Sequence, residues 1–377
     1  MNSIMHQKRF EKEGRFIPAI GIGMGLSGNL DYSEKNLMFL DCLSYAFSIG
    51  MTFVDTAEIY GNGQSEELIG TSITGIRDEI FVATKVSPQN LQHRDLLRAA
   101  DFSLRRLGTD FIDLYQVHWS NRAVPLAETC NALTDLVRAG KVLRIGVCNF
   151  TLSQVKEFKR LLGDIPLSSV QNEYNLFDRS IEADLLPYCK ENEISVIASS
   201  PLDQGMICGG GDPRSALDQI SLKYGVTTAQ LALAWIVKQE NVFAIPKASG
   251  PTHIRQNAMS ANINLDEEDV EKICQITSNN QVELQPDQIQ VMGADTGRPQ
   301  MYFSIEEAIA NAYGHSPSPM DLANDLLEGN LLKPIKVKKL LNTQSEFSYE
   351  LIEGRMRYWA WIIAFGIKCP ILTLVRE

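Results

Sequence analysis

FVDTAEIYG (residues 53–61), IFVATKV (80–86) and DLYQVHW (113–119) share one pattern, an apolar run that delivers a polar or ionisable side chain. Asp55 closes the first run and Tyr60 follows five residues later. Lys85 closes the second and His118 the third. The runs are continuous rather than alternating, which is the mark of strands buried on both faces. Working outward, the same kind of run recurs at 19–23, 52–55, 80–85, 111–117, 142–148, 169–172, 195–199 and 242–246. Amphipathic helical patterns lie between them at 34–48, 66–73, 94–107, 126–139, 153–162, 181–191 and 228–238, punctuated by Gly50, Gly140, Pro166, Pro187 and Gly225. Eight strands alternating with helices predict an α/β fold, a closed (β/α)8 TIM barrel, rather than a doubly wound sheet. Right-handed crossovers place the helices outside, and reactive groups belong where strands end and loops begin.

The chain has 377 residues, more than such a barrel needs, with 44% hydrophobic and 21% charged residues and a net charge of −11. That charge opposes broad binding to nucleic acid or to an anionic membrane. Seven cysteines, an odd number without a CxxC pair, read as reduced thiols in a cytoplasmic protein and imply no metal site. The opening MNSIMHQKRFEKEGRF carries no apolar leader-like run, and the apolar stretch 358–375 is broken by Gly366, Lys368 and Pro370 and reads as buried, not membrane-spanning. The strand–helix rhythm stops near Asn280. Residues 279–300, rich in Gln, Asp, Asn and Pro, read as a linker or irregular entry segment. Helix 320–327, strands 334–341 and 349–353, helix 356–365 and strand 371–375 then predict a small C-terminal α+β domain. The expected division is 1–278 for the barrel and 279–377 for the second domain.

A barrel gathers Asp55, Tyr60, Lys85 and His118 over one mouth. Hydride delivery to a carbonyl carbon leaves an alkoxide that needs a proton, and Tyr60 is the donor this set offers. A neighbouring Lys85 cation is expected to lower the phenol pKa by about 2 units, equivalent to roughly 2.7 kcal/mol. Asp55 would hold Lys85 charged, and His118 would hydrogen-bond the carbonyl oxygen. Trp119, directly after His118, fits either a pocket wall or packing against the neighbouring strand. The Gly23–Met24–Gly25–Leu–Ser–Gly28 run satisfies GxGxxG, but a loop-like sequence follows it instead of a helix, so it reads as a Gly-rich loop after the first strand.

FVDTAEIYGNGQSEELIG, the Lys85 strand, LRRLGTDFIDLYQVHW, KVLRIGVCNF, VQNEYNLFDR, SSPLDQG and AIPKAS with its trailing Asn257 together resemble the aldo-keto reductases over about residues 15–276. The resemblance implies the barrel, a nicotinamide cofactor, and Asp55, Tyr60, Lys85 and His118 as the catalytic tetrad. It places the backbone of Gly23, Met24 and Gly25 beside the nicotinamide ribose, with Asp55 nearby. It assigns Asn149 and Gln171 to the carboxamide, with Tyr174 near the ring-stacking position, and Ser200, Leu202 and Gly205 to the pyrophosphate. Lys247, Ser249, His253 and Asn257 fall around the adenosine 2′-phosphate and adenine. Lys247 favours NADPH. His253 stands where many members carry Arg and lacks the bidentate guanidinium fork, so NADH stays compatible.

Residues 283–377 resemble the ParB-like and sulfiredoxin-like superfamily through a helix, a P-I-x-V strand, a short strand and a G-x-x-R turn. The turn Gly354–Arg355–Met356–Arg357 opens a helix, and free N–H groups with Arg make a phosphate site, which implies ATP or CTP as a ligand. The same arginines equally fit a surface cap. Arg355 occupies the place of the sulfiredoxin catalytic Cys, which excludes that repair chemistry. Lys336 and Lys338 alternate with apolar residues as on the wet face of an edge strand. From residue 279 onward the chain is net acidic, against strong DNA binding. The expectation is therefore an NADPH-dependent reductase of a small-molecule carbonyl, with a C-terminal domain that binds a nucleotide or mediates oligomer assembly. The alternatives are an NADPH-binding redox sensor with little turnover and a nucleotide-dependent function of the C-terminal domain.

Overall fold

The computed structural model describes residues 5–11, 14–25, 34–209, 215–248, 250–278, 281–291, 302–315, 317–329, 334–340 and 347–376. The Gly28 loop, Ser249 and Lys333 lie outside them. By its internal contacts the chain divides into two compact units, Met1–Glu271 and Lys272–Glu377.

The first unit opens with a hairpin the sequence reading had not anticipated, β1 (Gln7–Arg9) antiparallel to β2 (Phe16–Pro18). The barrel follows in strict alternation: β3 (Ile22–Gly23), α1 (Glu34–Ser48), β4 (Phe53–Asp55), α2 (Gln64–Ser72), β5 (Phe81–Val86), α3 (His93–Leu107), β6 (Leu114–Val117), α4 (Leu126–Arg138), β7 (Ile145–Cys148), α5 (Leu152–Leu162), β8 (Leu167–Glu173), α6 (Leu185–Glu191), β9 (Ser195–Ser199), α7 (Ala216–Lys223), α8 (Thr228–Val237), β10 (Val242–Ala244) and α9 (Pro251–Ser260). Helix α10 (Glu267–Ser278) leads out of it. All eight barrel strands, β3 to β10, run parallel in sequence order. The barrel closes between its ends: Ile20 bridges Ala244, Gly21 N donates to Ala244 O (2.8 Å), and Gly23 N donates to Pro246 O (3.0 Å). Glycine is required at this seam because a Cβ on Gly23 would sit 2.6 Å from Ile245 O.

The hairpin floors the barrel. Phe10 and Ile17 join Phe53, Phe81, Leu114, Ile197 and Phe243 in one fully buried cluster, with Phe10 ring centroids 5.0 Å from Phe81 and 5.3 Å from Phe243. Lys8 ties the hairpin to the C-terminal end of α8, donating to the carbonyls of Val237, Gln239 (2.5 Å) and Val242 (3.0 Å). The floor leaves the opposite rim, at the strand C-termini, as the place for a site.

The second unit holds β11 (Gln281–Leu284), β12 (Ile289–Gln290), α11 (Ile305–Ile309), α12 (Pro319–Leu327), β13 (Ile335–Lys339), β14 (Tyr349–Glu353), α13 (Arg355–Phe365) and β15 (Ile371–Arg376). Its sheet order is β11-β15-β13-β14-β12. The segment expected to be a linker therefore supplies two strands: β11 pairs antiparallel with β15, and β12 parallel with β14. Polar composition hid them because each is short and takes its partner from far along the chain. The β13 strand is central, not an edge; Lys336 is buried there and pairs with Glu353 at 3.0 Å, while Lys338 and Lys339 are exposed. Among the described residues, no single helix is long and apolar enough to cross a membrane.

Candidate active site

Three strands end together at the open rim and carry their polar residues to one point. Asp55 is the last residue of β4, Lys85 the penultimate one of β5, and His118 follows β6. Tyr60 opens a turn, Tyr60–Gly63, whose Gly61, Asn62 and Gly63 all have positive φ (58°, 55° and 92°). Lys85 is fully buried; its Nζ donates to Asp55 Oδ1 (2.5 Å) and Thr56 O (2.8 Å) and lies 5.3 Å from the Tyr60 ring centroid. The Tyr60 and His118 rings meet edge to face at 5.7 Å. The structure thus brings Asp55, Tyr60, Lys85 and His118 together.

The electrostatics differ from expectation at one point. Burial alone would pull the Lys85 ammonium down, but Asp55, aided by Tyr60 and Cys148, holds it above its ordinary value. For Tyr60 burial is the larger influence and raises the phenol; Lys85 lowers it without overturning the balance. The phenol expected to be acidified is instead raised, first by burial and then by Asp55 and Cys148, with Lys85 working against them. Burial and then Lys85 push His118 down to about 2, so its imidazole is neutral at physiological pH. Its Nδ1 is buried without a hydrogen-bond partner among the described residues. The Trp119 indole stacks on the imidazole, with centroids 3.7 Å apart and planes inclined by 15°.

The sequence reading missed Gln116. Its Nε2 donates to Asp55 Oδ2 (3.3 Å), and so does Gln171 Nε2 (2.8 Å). Asp55 thus faces Lys85 with one oxygen and two amides with the other. A glutamine inside the otherwise apolar β6 was the available signal, since a buried amide needs a partner. Glu58 was missed as well: its Oε1 accepts from Ser87 N (2.6 Å) and Asn90 Nδ2 (3.0 Å), tying the Tyr60 loop to the loop after β5.

Several of the expected cofactor residues follow the C-terminal ends of the barrel strands. Met24 N donates to Asp55 O (2.8 Å), and among the described residues nothing lies within 4 Å of where Gly25 would carry a Cβ. Asn149 (φ 58°) donates through Nδ2 to His118 O (3.1 Å). Ser200 (φ 46°) and Gly205 (φ 94°) shape a tight turn in which Gly205 N donates to Leu202 O (2.9 Å). Lys247 and His253 are exposed near the start of α9, and Asn257 on that helix is buried. Tyr174 directly follows β8, but its side chain is fully buried, packs on Trp235 and donates to Glu182 (2.7 Å). These residues fit a nicotinamide dinucleotide, with space beside Gly25 among the described residues and an exposed cation, Lys247, ahead of a helix N-terminus.

Residues 19–278 match the aldo/keto reductase family. The chain belongs to the aldo/keto reductase family. This reductase is 35% identical over 263 residues to the methylglyoxal reductase YeaE of Escherichia coli, an alignment covering 69% of this chain and 92% of the relative. It is 30% identical to the NADH-specific methylglyoxal reductase of the same organism, covering 67% and 90%. Among solved structures, it matches an aldo/keto reductase from Klebsiella pneumoniae in complex with NADP and acetate with TM-score 0.66 and 34% identity, covering 72% of this chain and 95% of that one. The reductase is accordingly an NAD(P)H-dependent oxidoreductase. The family match ends at residue 278.

Beyond that point the turn expected to take a phosphate is engaged within its own unit. Gly354 adopts the left-handed conformation (φ 97°) ahead of α13. The Arg357 guanidinium donates to Pro334 O (2.6 Å) and pairs with Glu353 (3.5 Å), and Arg355 lies over the Phe303 ring at 4.8 Å. Arg357 thus already has two partners of its own unit. The cap reading of this turn accounts for the contacts observed.

Proposed function

We propose that the reductase converts a small aldehyde or ketone to its alcohol with NADPH, and that Tyr60 is the proton donor. One observation carries this reading: the Tyr60 phenol stands 5.3 Å from the ammonium of a buried Lys85–Asp55 pair and 5.7 Å, edge to face, from the His118 imidazole. NADPH, when bound, supplies the hydride. His118 Nε2–H hydrogen-bonds the carbonyl oxygen and orients it; neutral imidazole can donate without delivering a full charge. Tyr60 gives its hydroxyl proton to the oxygen as the alkoxide forms. Lys85 then faces the new phenolate, and burial, which disfavours that anion at rest, makes the cation's help larger than it would be in water. Asp55 keeps Lys85 charged, and Gln116 and Gln171 hold Asp55.

Two relatives are methylglyoxal reductases, which supports a small 2-oxoaldehyde as the substrate class. The exposed Lys247 supports NADPH over NADH. Following cofactor oxidation with methylglyoxal, simple aldehydes and ketones tests both points. Turnover that collapses in Y60F while NADPH binding persists is expected. A folded enzyme that binds NADPH and turns over no carbonyl would overturn the reading in favour of a redox sensor. We also read residues 279–377 as a domain of their own, supported by a core of Ile289, Ile335, Val337, Leu351, Tyr358, Ile362 and Ile371. Limited proteolysis should release it intact, and scattered cleavage throughout it would refute this.

A further inference from the structure

We propose that Trp119 is a positioning residue for this reaction: its indole face fixes the plane of the His118 imidazole and so aims Nε2–H at the carbonyl oxygen. The inference rests on the reductase reading above.

The backbone of His118 is pinned. Its N–H donates to Val86 O (3.0 Å) and its carbonyl accepts from Asn149 Nδ2 (3.1 Å). The ring is not pinned in that way. A catalytic imidazole is commonly oriented by a hydrogen bond at its second nitrogen, yet Nδ1 here is buried and without a partner among the described residues. Rotation about the last side-chain torsion therefore has to be limited by packing. Two contacts supply it, the edge of Tyr60 at 5.7 Å and the near-parallel Trp119 face at 3.7 Å. Of the two, the stacked indole is the near-parallel one, so it is the contact that holds the plane of the imidazole.

Trp119 can do this because the segment after it is tied down. Ser120 Oγ accepts from Gln154 Nε2 of α5 (3.2 Å), and Asn121 Nδ2 donates to Pro88 O after β5 (2.8 Å). The indole is thus mounted on a loop fixed to two neighbouring segments. The stack also covers the imidazole against water, which keeps it neutral. The groups that face the imidazole are Lys85 on β5, whose charge lowers its pKa further, and Tyr60 after β4; Asp55 on β4 and Cys148 on β7 act on Tyr60 and Lys85 behind them. With no acceptor for Nδ1 among the described residues, the neutral ring is best served by a proton at Nε2, where a substrate oxygen can take the hydrogen bond.

The test uses the full-length protein and the variants W119F and W119L. In W119L, kcat should fall about tenfold or more while KM changes little, because a hydrogen bond made mainly in the transition state is misaimed. An acid limb should also appear between about pH 5 and 6.5 as a hydrated His118 begins to titrate. W119F, which keeps an aromatic face, should recover most of the rate and lose the limb. A W119L enzyme with unchanged kcat and a raised KM would make Trp119 a pocket wall only and overturn the inference, as would equal losses in W119F and W119L. Ring-nitrogen NMR of the wild-type protein needs neither turnover nor a folded W119L. It should show His118 as a single Nε2–H tautomer that does not titrate down to about pH 5. A Nδ1–H tautomer, or titration near the ordinary histidine value, would refute the inference. If instead the NMR result holds and no carbonyl is turned over, only the reductase reading fails.

Discussion

Replacing Lys85 by Met removes a buried cation of similar length and isolates its effect on Tyr60. Its Nζ lies 5.3 Å from the phenol ring centroid. At that separation and an effective dielectric of about 20, a unit charge pair is worth about 3 kcal/mol. That corresponds to roughly a hundredfold in an equilibrium. The sign is set by the direction of the interaction: Lys85 lowers the Tyr60 pKa, so its loss raises a value already raised by burial. Alcohol oxidation needs Tyr60 as phenolate to accept the proton, so this direction reads the effect most clearly. In K85M, NADP+ reduction by the product alcohol at neutral pH should fall about 100-fold, and the rising limb of its pH–rate profile should move to higher pH. Carbonyl reduction should fall less, because its transition state carries only part of the phenolate charge. The assay is steady-state NADPH formation across pH, with NADP+ affinity measured in parallel. An unshifted profile in a folded K85M enzyme that still binds cofactor would refute the claim that Lys85 governs the phenol.

His118, held at about 2, stays neutral throughout the working range, so kcat/KM of the wild-type reductase should show no histidine limb between about pH 5 and 8; a limb that vanishes in H118Q would contradict this. Glu66 is fully buried, with Thr84 Oγ1 donating to Oε1 (2.6 Å) and Arg106 Nε pairing with Oε2 (2.6 Å). R106M should therefore cost roughly 3 kcal/mol of stability in denaturant unfolding by leaving a carboxylate unpaired, and the further change E66Q should restore part of it. K8M strips three carbonyls of their donor, including Gln239 O and Val242 O, and should lower Tm by loosening the barrel floor, with a cost of about 1–3 kcal/mol; an unchanged Tm would show the clamp to be idle. G23A drives a Cβ to 2.6 Å from Ile245 O and should open the barrel seam, read as lost stability together with weakened NADPH binding.

The sequence by itself determined which groups meet at the rim. Strands buried on both faces show as uninterrupted apolar runs, and in a parallel barrel all of them end on the same side, so the residue closing each run is already placed. Asp55, Lys85 and His118 were legible for that reason, and Tyr60 because it follows in the next loop. Tertiary structure decided what depends on neighbours remote in the chain. Phe10 and Ile17 form the floor only because the hairpin folds back under Phe53, Phe81 and Phe243. β11 and β12 exist only because β15 and β14, sixty or more residues onward, offer them hydrogen bonds. The balance on Tyr60 went the other way from the sequence argument, since a charge pair can be named from residue types but the cost of burial depends on how much protein surrounds the phenol. The orientation of His118 belongs here too: a torsion held by a stacked face, not by a hydrogen bond, leaves no mark in the sequence beyond an aromatic residue next to the histidine.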